Sequence, residues 1–417
     1  MHKNKMIFVI PDMSWLFDYK SQFSLGILYL SFILKQEDWD VEIFDTNEND
    51  IKDLPQADVY AFSVLYNTYN SAINISKIIR NIYKDAYLIV GGVYPTTTPE
   101  KFINHFDSVF KGESENTIKV FCDDYNNKSP EKIYEEFGIV DISNIIADRS
   151  ILDESYVRTG SIFLNNVSFC DGGSTSVMFS RGCPGSCTFC CSPFMYKKRV
   201  RFRSVDSIVN EIKGIIDIYG IRQFKIQDDT FTLNLNFLKL VTKELKKLNI
   251  YYRCLTRADR ITDDVIKLLY DSGCREIAVG VECADNTVLK ALKKHETVEQ
   301  ISNSISIIKK YPIKIRSFFI VGLPFDTKET MQKNIDFIEN NKLDHVTTSN
   351  LILFPGTELY DQKEKYGITE IKDNTCMNVD SSIPLKPNIK CKHMTQNEHI
   401  EIMKIFYDYL IKKGFTK

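Results

Sequence analysis

The sequence predicts an α/β protein: an N-terminal doubly wound, Rossmann-like parallel sheet, then a partial (β/α)6 barrel of the TIM type, then a small C-terminal helical piece. Three observations carry this. Short apolar runs alternate with helix-period segments through the first third of the chain. The same alternation occurs six times between Val177 and Ile352. Near the end, Thr395 and Glu398 stand at capping-box spacing before the apolar stripe Ile402, Met403, Phe406 and Leu410. A chain of 417 residues, 43% hydrophobic, is long enough for two domains with their own cores.

In order, Met6–Ile10 reads as a strand, and Leu25, Leu28, Tyr29, Phe32 and Ile33 share a helical face. Val41–Phe44 and Val59–Val64 are strands, followed by Ala72, Ile75, Ile78, Ile79 and Ile82 on one helix. Tyr87–Val90 runs into Gly91 and Gly92, and Ser108–Phe110 into Gly112. This rhythm predicts about five parallel strands in residues 1–125. Ligands bind such sheets at the strands' carboxyl ends, where Leu65–Asn70, Gly91–Thr98 and Gly112–Glu115 fall. Paired glycines there either clear space for a bulky ligand or mark a tight turn.

Residues 126–172 break the rhythm and read as a structured linker. Residues 173–370 carry the barrel strands Val177–Phe179, Gln223–Ile226, Tyr251–Leu255, Glu276–Val281, Ile315–Val321 and Val346–Ile352. Ile208, Ile212, Ile215 and Ile216 line one intervening helix, Leu238, Val241 and Leu245 the next, and Val265, Leu268 and Leu269 a third. Thr297 with Gln300, and Asp326 with Glu329, have the spacing of helix-start caps. Residues 371–417 form the C-terminal extension, where Cys376 and Cys391 are too few for a second cluster.

The chemistry concentrates in Ser180-Arg-Gly-Cys-Pro-Gly-Ser-Cys-Thr-Phe-Cys190. Three thiols within eight residues, with glycines and a proline between, can curl round one metal centre. Thiolates select zinc or iron–sulfur clusters. Structural zinc closes with a second ligand pair, and the sequence offers none. A cubane held by Cys183, Cys187 and Cys190 alone keeps one iron open to a small molecule. Cys191 is a poor fourth ligand, because its neighbour Cys190 aims the two side chains apart.

Net charge is −2, which leaves no footprint for nucleic acid or an anionic membrane. The one basic run, Lys197-Lys-Arg-Val-Arg-Phe-Arg203, suits a local anion or a solvated face better than a nucleic-acid groove. Eleven cysteines without a paired framework point to a reducing cytosol. No run approaches the roughly 18 apolar residues that span a bilayer. A soluble cytoplasmic protein is expected.

The Cys-x-x-x-Cys-x-x-Cys motif, with aromatic Phe189 before its last cysteine, resembles the radical S-adenosylmethionine enzymes. The fuller string resembles their branch with an N-terminal cobalamin-binding domain. Gly91-Gly-Val-Tyr-Pro-Thr and Lys111-Gly-Glu-Ser-Glu115 are similar to that domain. The resemblance implies a [4Fe–4S] cluster, S-adenosylmethionine chelated by the open iron, and its one-electron cleavage to a 5′-deoxyadenosyl radical. It implies cobalamin held near Leu65, Tyr66, Asn67, Gly91, Gly92, Tyr94, Gly112 and Glu113. Two departures stand out. There is no Asp-x-His-x-x-Gly to ligate cobalt, only His2 and His105 preceding residue 180, and Tyr94 stands where relatives often have His.

In the barrel the resemblance places Gln227, Asp228 and Asp229 toward the methionyl amino group or the substrate, and Glu282 on the ribose hydroxyls. Gly322 and Pro324 belong to the adenine strand, and Phe354 closes the sixth strand. Arg257 is placed either to pair with an acid or to grip a carboxylate. The implied reaction is methylation of an unactivated carbon on a small molecule or peptide. It uses one S-adenosylmethionine for the radical, another for the methyl group that methylcobalamin delivers, and an electron donor such as flavodoxin or ferredoxin. A radical cyclase or rearrangement enzyme is the alternative within the branch, and an iron–sulfur sensor or electron carrier the alternative outside it.

Overall fold

The computed structural model describes residues 3–13, 19–372 and 386–416. His2 and Cys376 lie outside them. The chain divides into two compact units: Met1–Gly160 with Gly172–Met178 and Met195–Ile221, and Ser161–Asp171 with Phe179–Phe194 and Arg222–Lys417.

The first unit is built on strands β1 (Lys5–Ile10), β2 (Asp40–Asp45), β3 (Val59–Ser63), β4 (Tyr87–Gly91), β5 (Ser108–Gly112) and β6 (Ile133–Glu136). They pair in parallel in the order β2-β1-β3-β4-β5-β6. Alternate residues feed two cores. Ile7, Val9, Tyr60, Phe62, Leu88 and Val90 pack on one face, and Met6, Phe8, Ile10, Val59, Ala61 and Ile89 on the other. Apolar residues at every position are what a sheet covered on both faces requires. Strand order reverses between β1 and β3, the switch point where such sheets open a crevice.

The expected sheet of five strands has six, because Ile133–Glu136 in the predicted linker adds an edge strand to β5. Its alternating Ile-Tyr-Glu-Glu is too short and polar to announce itself. The helix Tyr69–Ile82 buries Ala72, Ile73, Ile75, Ser76 and Ile79, whereas Ile78 and Ile82 are exposed. The apolar stripe is wider than the buried one. Pro99–Phe106 is not a sustained helix: one 3-10 turn, Pro99–Lys101, is followed by turns. The basic run divides: Lys197, Lys198 and Arg199 are exposed, while Arg201 pairs with Glu113 at 2.7 Å and buried Arg203 with Glu211. Arg149 also pairs with Glu211, at 2.6 Å.

The second sheet begins with β7 (Ser174–Val177). Two two-residue strands follow, β8 (Ser180–Arg181) and β9 (Arg201–Phe202). Then come β10 (Gln223–Ile226), β11 (Tyr251–Thr256), β12 (Cys274–Glu282), β13 (Lys314–Val321) and β14 (His345–Asn350). Strands β10 to β14 pair in parallel in chain order, and with β7 they make the six strands of a curled half-barrel.

Between them, the helix Leu235–Lys247 buries Leu238, Val241 and Leu245, and Asp263–Asp271 buries Val265, Ile266 and Leu269. Thr297 and Gln300 form the predicted capping box. The second predicted cap is shifted by one residue. Thr327 and Thr330 cap the helix Lys328–Asn341, and Asp326 is buried elsewhere.

At the C-terminal end, β15 (Ile368–Ile371) pairs antiparallel with β16 (Ile389–Cys391). Thr395 and Glu398 box the start of the helix Gln396–Lys413. Met403, Phe406 and Leu410 are buried, with the Phe406 ring 5.5 Å from Phe319 of β13. Among the described residues no helix is long and apolar enough to cross a membrane.

Candidate active site

The cysteine loop lies at the carboxyl edge of the curled sheet, tied down on several sides. Phe179 N donates to Asp228 Oδ1 at 2.7 Å, and Ser180 Oγ to Asp228 Oδ2 at 2.5 Å. Gly182 N and Ser192 Oγ donate to Asp229 Oδ2 at 3.1 and 3.2 Å. Thr188 N donates to Leu292 O, and Leu359 N to Thr188 O, both at 2.9 Å. The thiols are thereby set above different strands. Cys183 Sγ is 3.9 Å from Thr230 Oγ1 after β10, and Cys187 Sγ is 3.9 Å from Arg257 Nη1 after β11.

Asp228 takes bonds on both oxygens and Asp229 on Oδ2, all from the segment that carries the cysteines, so the paired acids brace the loop. Asp228 is 2% exposed, and burial lifts its carboxyl to about 6 against its hydrogen bonds. Gln227 is exposed at the strand end.

Beside Cys187 lies a cluster of charge that the sequence did not disclose. Lys294 Nζ pairs with Glu282 Oε1 at 3.0 Å and Glu296 Oε2 at 3.5 Å. Arg257 pairs with Asp259 at 3.1 Å and Glu296 at 3.6 Å, and donates to Lys294 O at 2.8 Å. Arg257 is thus held by acids of its own chain and aimed past them at Cys187. Burial raises the Cys187 thiol pKa, and Lys294 and Arg257 pull it back. Nothing in Lys293-Lys-His-Glu-Thr distinguished a buried lysine from a solvated run.

Glu282 ends β12 with φ +65°, an unusual backbone for glutamate at a register shift in the ladder. Gly280 leaves room for the Glu282–Lys294 pair, since an added Cβ would lie 2.3 Å from Glu282 Oε1 and 2.8 Å from Lys294 Nζ. Gly322 (φ +75°) leads Pro324 away from β13, but the atom close to it is Asn350 Oδ1, 2.5 Å from an added Cβ. That glycine makes room for the Asn350 side chain. Pro324 is buried, and Phe354 is half-buried. Phe189 packs against the buried cluster that includes Cys283, Leu292, Leu323 and Leu359, so it anchors the loop from its apolar side.

The turn after β13 is gripped by Asp326, whose Oδ2 accepts from Gly322 N at 2.7 Å and Leu323 N at 3.0 Å. Its carboxyl, fully buried, is lifted by burial to about 7. His399 Nε2, 4.0 Å away, is lowered to about 4 by burial. The signs are opposite. Between its ordinary value 3.8 and about 7, folded Asp326 holds a proton that the unfolded chain has lost, so rising pH removes stability there. His399 removes stability as pH falls from 6.5 toward about 4. Asp326→Asn keeps the acceptor and deletes only the first effect. From about pH 4 to about pH 8, wild type should lose roughly 4 kcal/mol relative to this variant. Urea titrations at several pH values test it, and parallel profiles would refute it.

In the first unit, the loop after β3 meets the crevice expectation best. Leu65 is 46% exposed, and Asn67 Oδ1 is buried without a hydrogen-bond partner. Two expected cofactor side chains, those of Tyr94 and Glu113, are turned inward instead. Tyr94 is 2% exposed and packs on Tyr66, Tyr69 and Phe102. Glu113 pairs with Arg201 and accepts from Gly138 N. Gly92 (φ +106°) is crowded by protein backbone, an added Cβ meeting Val64 O at 2.8 Å. Gly112 (φ +83°) is likewise pressed against Glu136 O, and Gly91 against Phe110 Cβ at 3.3 Å. The glycines therefore serve the sheet, and a bulky residue at Gly92 would disturb the fold before it displaced a corrin.

A family model for the radical SAM superfamily matches residues 177–338, and one for the B12 binding domain matches residues 20–121. The chain belongs to the radical SAM superfamily, with a B12-binding domain before the radical SAM core. An uncharacterised methyltransferase of Pyrococcus horikoshii is 27% identical over 402 residues, 92% of this chain and 86% of that protein. The hopanoid C-2 methylase of Rhodopseudomonas palustris is 30% identical over 218 residues, 50% of this chain and 41% of the methylase. The solved radical S-adenosylmethionine methyltransferase TsrM from Kitasatospora setae, bound to tryptophan and a SAM analogue, shares the fold. The TM-score is 0.69 at 16% identity, over 89% of this chain and 78% of TsrM.

A radical SAM protein with a B12-binding domain works with a [4Fe–4S] cluster, S-adenosylmethionine and cobalamin. The donor sets here fit. Three cysteines share one anchored loop, with Gly185 N directed at Cys183 Sγ at 3.4 Å and the cations Arg257 and Lys294 facing Cys187. The apolar Leu65 and the orphaned Asn67 oxygen suit a large, amide-bearing ring. His105 follows the Pro99–Lys101 turn on the amino side of β5, the edge opposite the crevice.

Proposed function

We propose that this radical SAM enzyme methylates an unactivated carbon of a small molecule or peptide. One observation supports the reading above others: a three-cysteine loop anchored at the mouth of a half-barrel, in a chain whose other unit presents an apolar, partly unsatisfied loop at the switch point of a B12-type sheet. When bound, the cluster supplies the electron that cleaves S-adenosylmethionine, and cobalamin supplies the methyl group. Cys183, Cys187 and Cys190 hold the cluster. Glu282, held by its ion pair with Lys294, accepts the ribose hydroxyls, and the Gly322–Pro324 turn borders the base. Asp228 and Asp229 keep the loop in register, and Arg257 balances charge beside Cys187. Electrons come from a donor such as flavodoxin or ferredoxin, in a reducing compartment.

Both S-adenosylmethionine fates can be read out together. Anaerobically reconstituted protein should form 5′-deoxyadenosine and, through methyl donation, S-adenosylhomocysteine. Formation of 5′-deoxyadenosine alone would indicate a radical cyclase or rearrangement enzyme. Bound cobalamin should show the absorption of the base-off form, unchanged by His105→Ala. A spectrum altered by that substitution would put His105 on cobalt, and no cobalamin retained on dialysis would remove methyl transfer.

A further inference from the structure

Every nitrogen of the Arg257 guanidinium has its own partner. Nε donates to Asp259 Oδ1 at 3.1 Å, Nη2 to Lys294 O at 2.8 Å, and Nη1 is directed at Cys187 Sγ at 3.9 Å. Buried Glu296 stands 3.6 Å from Nη2 on the same side as Lys294 O. The acids that hold the guanidinium are themselves held, because Asp259 N donates to Glu296 Oε1 at 2.9 Å. Turning the guanidinium plane would break at least two of these contacts.

The result is an oriented ion pair. The carboxylates take Nε and Nη2, and the cation's remaining edge looks at sulfur. A guanidinium is always charged in a protein, so that edge is positive at every working pH. The other thiols stand in different surroundings. Cys183 Sγ meets the neutral Thr230 Oγ1 at 3.9 Å and Gly185 N at 3.4 Å, and Cys190 lies in the field of the Asp229 carboxylate. The nearby Lys294 ammonium is turned to Glu282 and Glu296. A purely structural role accounts for part of this arrangement, since Arg257 fastens the turn Ala258–Arg260 to the segment that carries Lys294. The bonds from Nε and Nη2 suffice for that clip. Nη1 exceeds it, and it is aimed at a metal ligand.

We infer that Arg257 tunes the reduction potential of the iron–sulfur cluster through Cys187, holding it higher than the cysteine loop alone would set it. The inference rests on the function proposed above and assigns Arg257 a part in its electron transfer. Reduction adds a negative charge to a centre that three thiolates already make negative, and the potential of such a centre follows nearby charge and hydrogen bonds to its sulfurs. A fixed cation beside one ligand therefore stabilises the reduced state. The higher potential makes the electron easier to accept from the donor and leaves it a weaker reductant of S-adenosylmethionine. Arg257 thus sets how strong a donor this protein requires.

Cluster-loaded full-length protein, without S-adenosylmethionine, should be titrated anaerobically with electron paramagnetic resonance reading the reduced cluster at each potential. Arg257→Gln should lower the reduced-to-oxidised ratio at a fixed potential about tenfold, a shift of about 59 mV to the negative. Asp259→Asn removes a competing carboxylate, keeps the backbone bond to Glu296, and should move the potential the other way. Arg260 pairs with the same Asp259 at 3.7 Å but is 45% exposed, so Arg260→Gln should leave the potential in place. A merely structural role predicts the opposite sign for Arg257→Gln, because a loosened loop admits water, which favours the more highly charged reduced state. A potential that rises or stays in Arg257→Gln, or falls equally in Arg260→Gln, overturns the tuning role. If Arg257→Gln assembles no cluster, Asp259→Asn decides: a rise upholds the role, and no change or a fall overturns it. A wild type without any cluster rejects the enzymatic reading itself, whereas a cluster indifferent to Arg257 rejects this inference alone.

Discussion

Replacing Cys183, Cys187 or Cys190 singly with Ala is expected to leave protein without a [4Fe–4S] cluster and to bring 5′-deoxyadenosine formation down to background. A cubane on two cysteines has lost the geometry that leaves one iron open. Cys191→Ala should retain the iron. Cys190 and Cys191 are adjacent in the chain, so their side chains diverge and the cluster that takes Cys190 is not reached by Cys191. Iron and sulfide analysis after anaerobic reconstitution, with the charge-transfer absorption of the cluster, makes the comparison. A Cys187→Ala protein with a full complement of iron, or a Cys191→Ala protein without any, would redraw the centre. The folded state should survive all four substitutions, because the loop is also held by Asp228, Asp229, Leu292 and Leu359.

Lys294→Met should cost about 3–5 kcal/mol of stability, the price of uncovering a buried charge, and should sharply weaken S-adenosylmethionine binding. The ammonium is 6% exposed, between Glu282 at 12% and Glu296 at 0%. With it gone, Arg257 at 3.6 Å is the remaining recorded cation on Glu296, and Glu282 loses the partner that aims it. Burial acts against the lysine charge, and Glu282 and Glu296 more than compensate, raising its pKa. Its stabilising contribution is therefore fully present at neutral pH and is lost only in strong alkali. Lys294→Arg should recover part of both properties. Urea unfolding and calorimetric titration with S-adenosylmethionine supply the two readouts. Wild-type unfolding with wild-type affinity would mean that Lys294 neither supports the loop nor orients Glu282.

Much of this protein was legible in the order of its residues. Apolar runs of strand length between helix-period segments predicted two parallel sheets, since side-chain period reports which faces are covered. The spacing Cys-x-x-x-Cys-x-x-Cys, with small residues between, named the metal centre, because ligand type and loop length suffice to define a thiolate site. The caps at Thr297 and Thr395 were legible for the same reason: their partners are three residues away. What the tertiary structure alone decided concerns partners far apart in sequence. Asp228 and Asp229 proved to be anchors because Phe179, Ser180 and Gly182, nearly fifty residues earlier, offered donors first. Gly92 and Gly112 were glycines for the sake of Val64 and Glu136. Lys294 became part of the site only when folding set it between Glu282 and Glu296. Composition counts a lysine the same wherever it stands. Burial and the charges beside it determine what it does, and both are properties of the fold.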